Sequence, residues 1–312
     1  KLLSCMKTCS KRRNIKRLLL LLLMIVLLLN RFTLIETGCQ QPNHALEQSN
    51  NTKSNRGQKE RLADGCFHVF IDVGANVGVH GRFLYEPDKY NLSKFAVPLF
   101  EKKFGRNRLN KEYCVLAIEA NPKHWDRLDA ISIIYRSFGW RFIVVKAAAF
   151  DEGGSGTFFH QGDGRFNEWG FSLKFNKAKK PKSTVGTESV PLIRFSKWLQ
   201  HEIFERTIPS QFHSRRKPVV GMKMDIEGSE FIVLPDLLAS GALCKIDFLF
   251  GELHPWLAPL NFSDQSVSLE NESDASRFFE AFELVLRSSR KCRTEFIPRD
   301  DEKYLHDTVP LP

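Results

Sequence analysis

The chain has 312 residues, 42% of them hydrophobic, and a formal net charge of +10. That is enough for one sizeable α/β domain or two small ones. Seven basic residues and no acid fall within the first 17, leaving 39 basic against 36 acidic residues elsewhere. The excess is therefore mostly a tail effect, the rest of the chain need not bind a polyanion, and no nucleic-acid partner is expected.

The basic tail, residues 1–17, leads into "LLLLLLMIVLLL", a run of 12 apolar residues. A cationic neck followed by such a run is a secretory targeting signal. The run alone is short for a span of about 20 residues. With "FTLI" included and Arg31 snorkelling, residues 18–35 reach across a thin membrane. The positive tail keeps the N-terminus in the cytosol. The expected organisation is a single-pass type II signal-anchor facing the ER or Golgi lumen; a signal cleaved near Gly38, giving a secreted protein, is the alternative. On the lumenal side four sequons gain meaning: Asn50, Asn91, Asn261 and Asn271. Residues 36–64 are polar and read as a disordered stem, and residues 65–312 as one domain. Five cysteines follow the apolar run: Cys39, Cys66, Cys114, Cys244 and Cys292. No C-x-x-C pair is among them, so zinc has no support, and an odd count leaves at least one thiol unpaired within the chain.

From Phe67 strands and helices alternate. "FHVFIDVG" is a buried strand, followed by a short helix to about Tyr85. Residues 86–112 read as an inserted loop. "CVLAIEA" is the second strand. Asn121 as N-cap and Pro122 as first residue then start an amphipathic helix carrying Trp125, Leu128, Tyr135 and Phe138. "RFIVVKAAAF" is the third strand, and residues 151–190 read as irregular. "VVGMKMD" and "KIDFLFGEL" are the fourth and fifth strands, with "IEGSEFIVL" between them as turn and helix. "DASRFFEAF" reads as helix, and "FELVLR" with "CRTEFI" as a hairpin across "SSRK". The fold expected is a Rossmann-like, mostly parallel seven-stranded sheet, with helices on both faces and an antiparallel C-terminal hairpin.

Ligands in open α/β sheets bind beyond the carboxyl ends of the strands. Strand one ends in "DVGANVG", where Gly74 and Gly78 let the backbone pass close to a ligand. A dinucleotide site would need G-x-G-x-x-G, but the frame from Asn76 reads N-V-G-V-H-G. Asp72 would repel a pyrophosphate and favours a cofactor with a cationic end. S-adenosylmethionine, with its sulfonium and ammonium, fits. Glu119 at the end of strand two suits the two ribose hydroxyls, and residues 148–151 would lie near the adenine. The expected cofactor set is Asp72, Gly74, Asn76, Gly78, Glu119 and Asp151.

These stretches resemble the FkbM-type methyltransferases, a branch of the class I S-adenosylmethionine-dependent methyltransferases. The resemblance covers roughly residues 67–310. It rests on "FIDVGANVG", "AIEANP", "AAAFDEGGSGTF", "MKMDIEGSEFIVL", "FLFGELH" and "RDDEKYLHD". It implies O-methylation of small molecules or sugars, and a lumenal address adds glycan hydroxyls as a substrate class. A methyltransferase fold without catalysis, binding a glycan or partner at the membrane, is the alternative.

Such a transfer must align an acceptor oxygen with the sulfonium and often remove a proton. Asp225 and Glu227 after strand four, with Glu252 and His254 after strand five, are the catalytic candidates. Lys223 is a counter-charge, Glu230 a first-turn helix acid, and Ser229 the cap of the following helix. Trp169 and Phe171 would wall the acceptor. The basic runs at 177–182 and 215–217 read as solvated loops or as attraction for an acidic glycan. Catechol-type methyltransferases hold a metal with carboxylates, and Asp225, Glu227 and Glu252 could do so, but the spacing differs and no metal is assigned. Cys66 lies six residues before Asp72 and Cys114 five before Glu119. On neighbouring parallel strands the two would stand within disulfide reach.

Overall fold

Strand β1, His68–Val73, is buried along its whole length, as a strand covered on both faces must be. The computed structural model describes residues 60–106, 108–160, 170–173, 186–212, 217–254, 257, 272–300 and 307–312. The described residues belong to one unit, Lys59–Pro312. Strands β2 (Tyr113–Ile118), β3 (Arg141–Val145), β4 (Ala148–Phe150), β5 (Gly154–Phe159), β6 (Thr187–Arg194), β7 (Val220–Met224), β8 (Phe248–Gly251) and β9 (Glu295–Ile297) follow β1. Six of the nine form a sheet in the order β3-β2-β1-β7-β8-β9, and every neighbouring pair is parallel. The order reverses direction between β1 and β7, and a crevice opens at that point, beyond the carboxyl ends of both strands.

Alternate residues of β1 serve opposite faces. Phe70 packs with Phe83, Phe100, Leu128, Phe142 and Phe250 on one side. Val69 and Ile71 pack with Leu199, Val233, Leu237 and Phe282 on the other. The first face is covered by helices α1 (Val79–Tyr85), α2 (Ala96–Phe104) and α3 (Pro122–Ser137). The second is covered by α4 (Phe195–Trp198, continued by a π-helical turn, Leu199–Phe204), α5 (Glu230–Ala239) and α6 (Glu272–Ser288). The expected start of α3 holds: the Asn121 side chain accepts from the Lys123 N–H, with proline in the first turn.

The α/β Rossmann-like class is as read, with four local corrections. The C-terminal hairpin is absent. "FELVLR" belongs to α6, and β9 pairs with β8 in parallel. An apolar run of that length suits helix or strand alike, and here it buries Phe282 and Leu286 in a helical face. The parallel sheet accordingly has six strands rather than seven. "RFIVVKAAAF" splits into β3 and β4, which enter different sheets. The "irregular" stretch carries β5 and β6, which with β4 form a small sheet ordered β4-β6-β5. Its strands are largely exposed, so no apolar run announces them. The insert is not a loop. It holds α2, whose Phe100 is fully buried and packs edge-on against Phe70 and Phe250.

Two disulfides brace the domain. Cys66–Cys114 joins the starts of β1 and β2 with Cα atoms 5.7 Å apart, as the strand alignment suggests. Cys244–Cys292 ties the approach to β8 to the approach to β9. Among the described residues no helix is long and apolar enough to cross a membrane. The expected anchor, the stem and Cys39 lie outside the described residues, as do Trp169 and Asn50, Asn261 and Asn271.

Candidate active site

The carboxyl ends of β1, β2, β7 and β8 surround a cavity of about 180 Å³. Gly74, at φ 77°, opens the turn beneath it. A Cβ there would lie 1.8 Å from the Asp225 carbonyl oxygen, so the loops after β1 and β7 themselves demand glycine. A Cβ at Gly78 would press on Leu128 and Ile131, each 2.9 Å away. That glycine serves the packing of α3, and it does not line the cavity.

Glu119 forms one wall. Its Oε2 accepts from the Asn76 N–H at 2.6 Å and its Oε1 from the Asn121 N–H at 2.7 Å. Each carboxylate oxygen can accept a further hydrogen bond, so two adjacent hydroxyls could be held there. The Asn76 side-chain oxygen is buried without a hydrogen-bond partner among the described residues, and Asn76 lines the same wall. Ile118, Ala148, Phe158 and Phe171 supply a flat apolar flank. Asp151 is exposed and stands outside the lining.

Asp72 is not a wall residue either. It lies under the floor, fully buried, with both carboxylate oxygens lacking hydrogen-bond partners among the described residues. Burial, reinforced by Asp300 and Glu119 and opposed by Lys223 and His80, pushes its pKa up to about 6. Lys223, beside it in the β1–β7 register, donates to the Gly74 carbonyl at 2.8 Å and to Asp225 Oδ2 at 3.1 Å. Burial works against the Lys223 ammonium, yet Asp225, Asp300 and Asp72 hold its pKa above the ordinary lysine range. His80, in the first turn of α1, donates from Nε2 to Asp300 Oδ1 at 2.7 Å. Burial opposes its charge too, but Asp300 and Asp72 raise its pKa. His80 and Lys223 line the cavity and Asp72 does not, so the floor presents these two side chains with the carboxylate behind them.

The opposite wall is acidic. Asp225, Glu227, Glu252 and His254 all line it. His254 is buried. Its Nδ1–H donates to Glu230 Oε1 at 3.2 Å, and its Nε2 faces Asp225 Oδ1 at 3.8 Å and Glu252 Oε2 at 3.7 Å. Burial would depress the imidazole pKa, but Glu230, Glu227 and Asp225 outweigh it and lift it to about 10. Glu230 is fully buried and also accepts from the Ile226 and Gly228 N–H groups at 2.7 and 2.8 Å. It thereby braces the loop that leads into α5, while Ser229, expected to cap that helix, makes no side-chain cap bond.

The four catalytic candidates therefore converge, as do Gly74, Asn76 and Glu119 among the cofactor candidates; Asp72, Gly78 and Asp151 stand off the lining. Sequence reasoning missed His80, Asp300, the positioning role of Glu230, and His124, which lines the cavity with Nδ1 3.6 Å from Glu119 Oε1. His80 could have been found from its place in the first turn after "DVGANVG". Asp300 gives no such signal, because its partners are more than 75 residues away in sequence.

A family model described as Methyltransferase FkbM domain matches residues 72–293. The chain belongs to this family. It is a methyltransferase, and FkbM-type enzymes generally draw their methyl group from S-adenosylmethionine. No curated protein and no solved structure matches the chain at a significant level. The FkbM match begins at Asp72 and takes in both walls of the cavity. The donor set also fits the cofactor of such enzymes: a carboxylate with spare acceptor sites, an unsatisfied Asn76 oxygen, an apolar flank, and an acidic wall suited to positive charge.

Proposed function

We propose that this methyltransferase binds S-adenosylmethionine and transfers its methyl group to a hydroxyl, on a sugar, a glycan or another small molecule. The observation that carries the reading is one cavity with two differently built acidic walls. Glu119, braced by two backbone N–H groups, would take the ribose hydroxyls, with Ala148 and Phe158 flanking the base. The cofactor supplies an electrophilic methyl group on a sulfonium. The acceptor hydroxyl would be oriented by Asp225, Glu227 and His254. Lys223 anchors one oxygen of Asp225, and Glu230 fixes the His254 ring. Glu252, the most solvent-exposed acid among Asp225, Glu230 and Glu252, would take the hydroxyl proton. Glu252→Gln should then cut turnover by about 10² with affinity for S-adenosylhomocysteine unchanged.

The compartment reading rests on two disulfides, which form and persist in oxidising surroundings. The sequon at Asn91 is also exposed. A type II anchor at residues 18–35 would place the domain in the lumen, where glycan hydroxyls are available. Transfer of tritiated methyl from S-adenosylmethionine to candidate acceptors tests the reaction. A label stable to mild alkali is a methyl ether and supports it, whereas an alkali-labile ester or a basic methylamine would contradict it. Glycosidase treatment tests the compartment: a mass shift lost in Asn91→Gln supports a lumenal domain, and digestion by protease in intact microsomes contradicts it.

A further inference from the structure

We infer that Asp225, Glu227 and His254 form a binding site for one divalent transition-metal ion, with Mn2+ as the matching class, at the acceptor end of the cavity. One ligand atom from each lies within 4.8 Å of the others, and all three line the cavity. An ion bound at about 2.1 Å places neighbouring ligand atoms roughly 3 to 3.7 Å apart. His254 Nε2 and Asp225 Oδ1 stand at 3.8 Å, so that pair closes with a contraction of tenths of an ångström, and a shift of about 1 Å brings in the atoms at the 4.8 Å limit of the cluster.

The surroundings orient these donors as ligand-positioning groups do in metal sites. Glu230 takes the Nδ1–H of His254 and turns Nε2 toward the carboxylates, giving a carboxylate–histidine–metal relay. Lys223 holds Asp225 Oδ2, so Oδ1 is the oxygen that faces His254. The charge agrees as well. An ion at His254 Nε2 displaces the proton that the surrounding acids hold on the ring, leaving the carboxylates of Asp225, Glu227, Glu230 and Glu252 to face the Lys223 ammonium, with Glu230 and Lys223 buried and Asp225 and Glu252 partly exposed. A divalent cation offsets most of that excess. Two carboxylates with one imidazole suit a mixed oxygen–nitrogen ion such as Mn2+ better than a thiolate-preferring one. The ion would hold the acceptor hydroxyl and lower its pKa, leaving Glu252 to take the proton. This assignment concerns the chain's own donors and does not depend on which acceptor is methylated.

Electron paramagnetic resonance with Mn2+ alone, on the purified full chain and without cofactor or acceptor, tests the site. One ion per chain is expected, with nitrogen coupling from the imidazole. Asp225→Asn and Glu227→Gln should each weaken binding at least tenfold, His254→Gln should remove the nitrogen coupling, and Glu230→Gln should weaken binding about 10- to 100-fold as a positioning change. Melting temperatures of the metal-free variants identify any that fail to fold; Glu227→Gln, in a partly exposed turn, keeps the test open. Wild-type affinity no greater than that of the Asp225→Asn/Glu227→Gln double variant, or bound Mn2+ without nitrogen coupling, would overturn the assignment.

Discussion

Replacing Asp72 with asparagine should make the cofactor-free protein more stable. The Asp72 carboxylate is fully buried, both its oxygens lack hydrogen-bond partners among the described residues, and its pKa rises from 3.8 to about 6. An acid whose pKa is raised by folding favours the folded state below its unfolded value and loses that advantage as pH climbs through the folded one. Near pH 7.5 the ionised side chain therefore costs roughly two pKa units, about 3 kcal/mol. Asparagine resembles the neutral acid and removes most of that cost, which raises the melting temperature by about 6–12 °C for a domain of this size. At about pH 4 the wild type is largely protonated in the fold and the gain should shrink below about 1 kcal/mol. Binding should move the other way. Without the buried negative charge, Lys223 and His80 present a more positive floor, and S-adenosylmethionine should lose more affinity than the neutral-sulfur S-adenosylhomocysteine. The assay is thermal unfolding of disulfide-intact protein at both pH values, with titration of both ligands. A variant no more stable than wild type at pH 7.5, or a gain that persists unchanged at pH 4, would refute the reasoning.

Gly74→Ala should destabilise the domain by several kcal/mol, since the added Cβ meets backbone at 1.8 Å and the residue sits at φ 77°; chemical denaturation reads this, and a variant that folds normally but fails to bind would mean the glycine serves the ligand instead. Mass mapping of the non-reduced protein should recover Cys66–Cys114 and Cys244–Cys292. Converting Cys66 and Cys114 to serine should cost about 4 kcal/mol by loop-entropy reasoning over their separation of 48 residues. Phe100→Ala should cost about 3–5 kcal/mol, because this side chain fixes the inserted helix to the sheet; a change under 1 kcal/mol would show that α2 is not part of the core.

Much of the site is legible in the sequence because its residues stand at strand ends, where short motifs betray them. "FIDVGANVG", "AIEANP", "MDIEGSE" and "GELH" each place a polar group just past a buried strand, and the parallel sheet brings those ends together. The same arrangement makes the Cys66–Cys114 pair readable, because both cysteines stand at the starts of neighbouring parallel strands, although it is Val69 that pairs with Cys114 in the register. Cys244 and Cys292 precede the neighbouring parallel strands β8 and β9 in the same way, but the sequence reads the second segment as a hairpin and so hides that alignment. Gly74 and Gly78 are legible as necessary but not as to why: one clears the Asp225 carbonyl and the other clears α3, and neither contact is visible before the chain is folded. Asp300 and Asp307 belong to "RDDEKYLHD", a stretch too acidic for a strand whose local pattern names no partner. In the fold Asp300 pairs with His80, and Asp307 with Arg82 and Tyr90, all buried. Such pairing follows from long-range packing, to which local pattern is blind.

The cofactor assignment is best tested by calorimetry of the purified full chain with S-adenosylhomocysteine and with NADP, in wild type and in Glu119→Ala. Binding of one S-adenosylhomocysteine per chain, weakened about 10²-fold by Glu119→Ala through the loss of two charge-assisted hydrogen bonds, with no NADP binding, is the result expected. NADP binding in the absence of S-adenosylhomocysteine binding, or full S-adenosylhomocysteine affinity in Glu119→Ala, would contradict it.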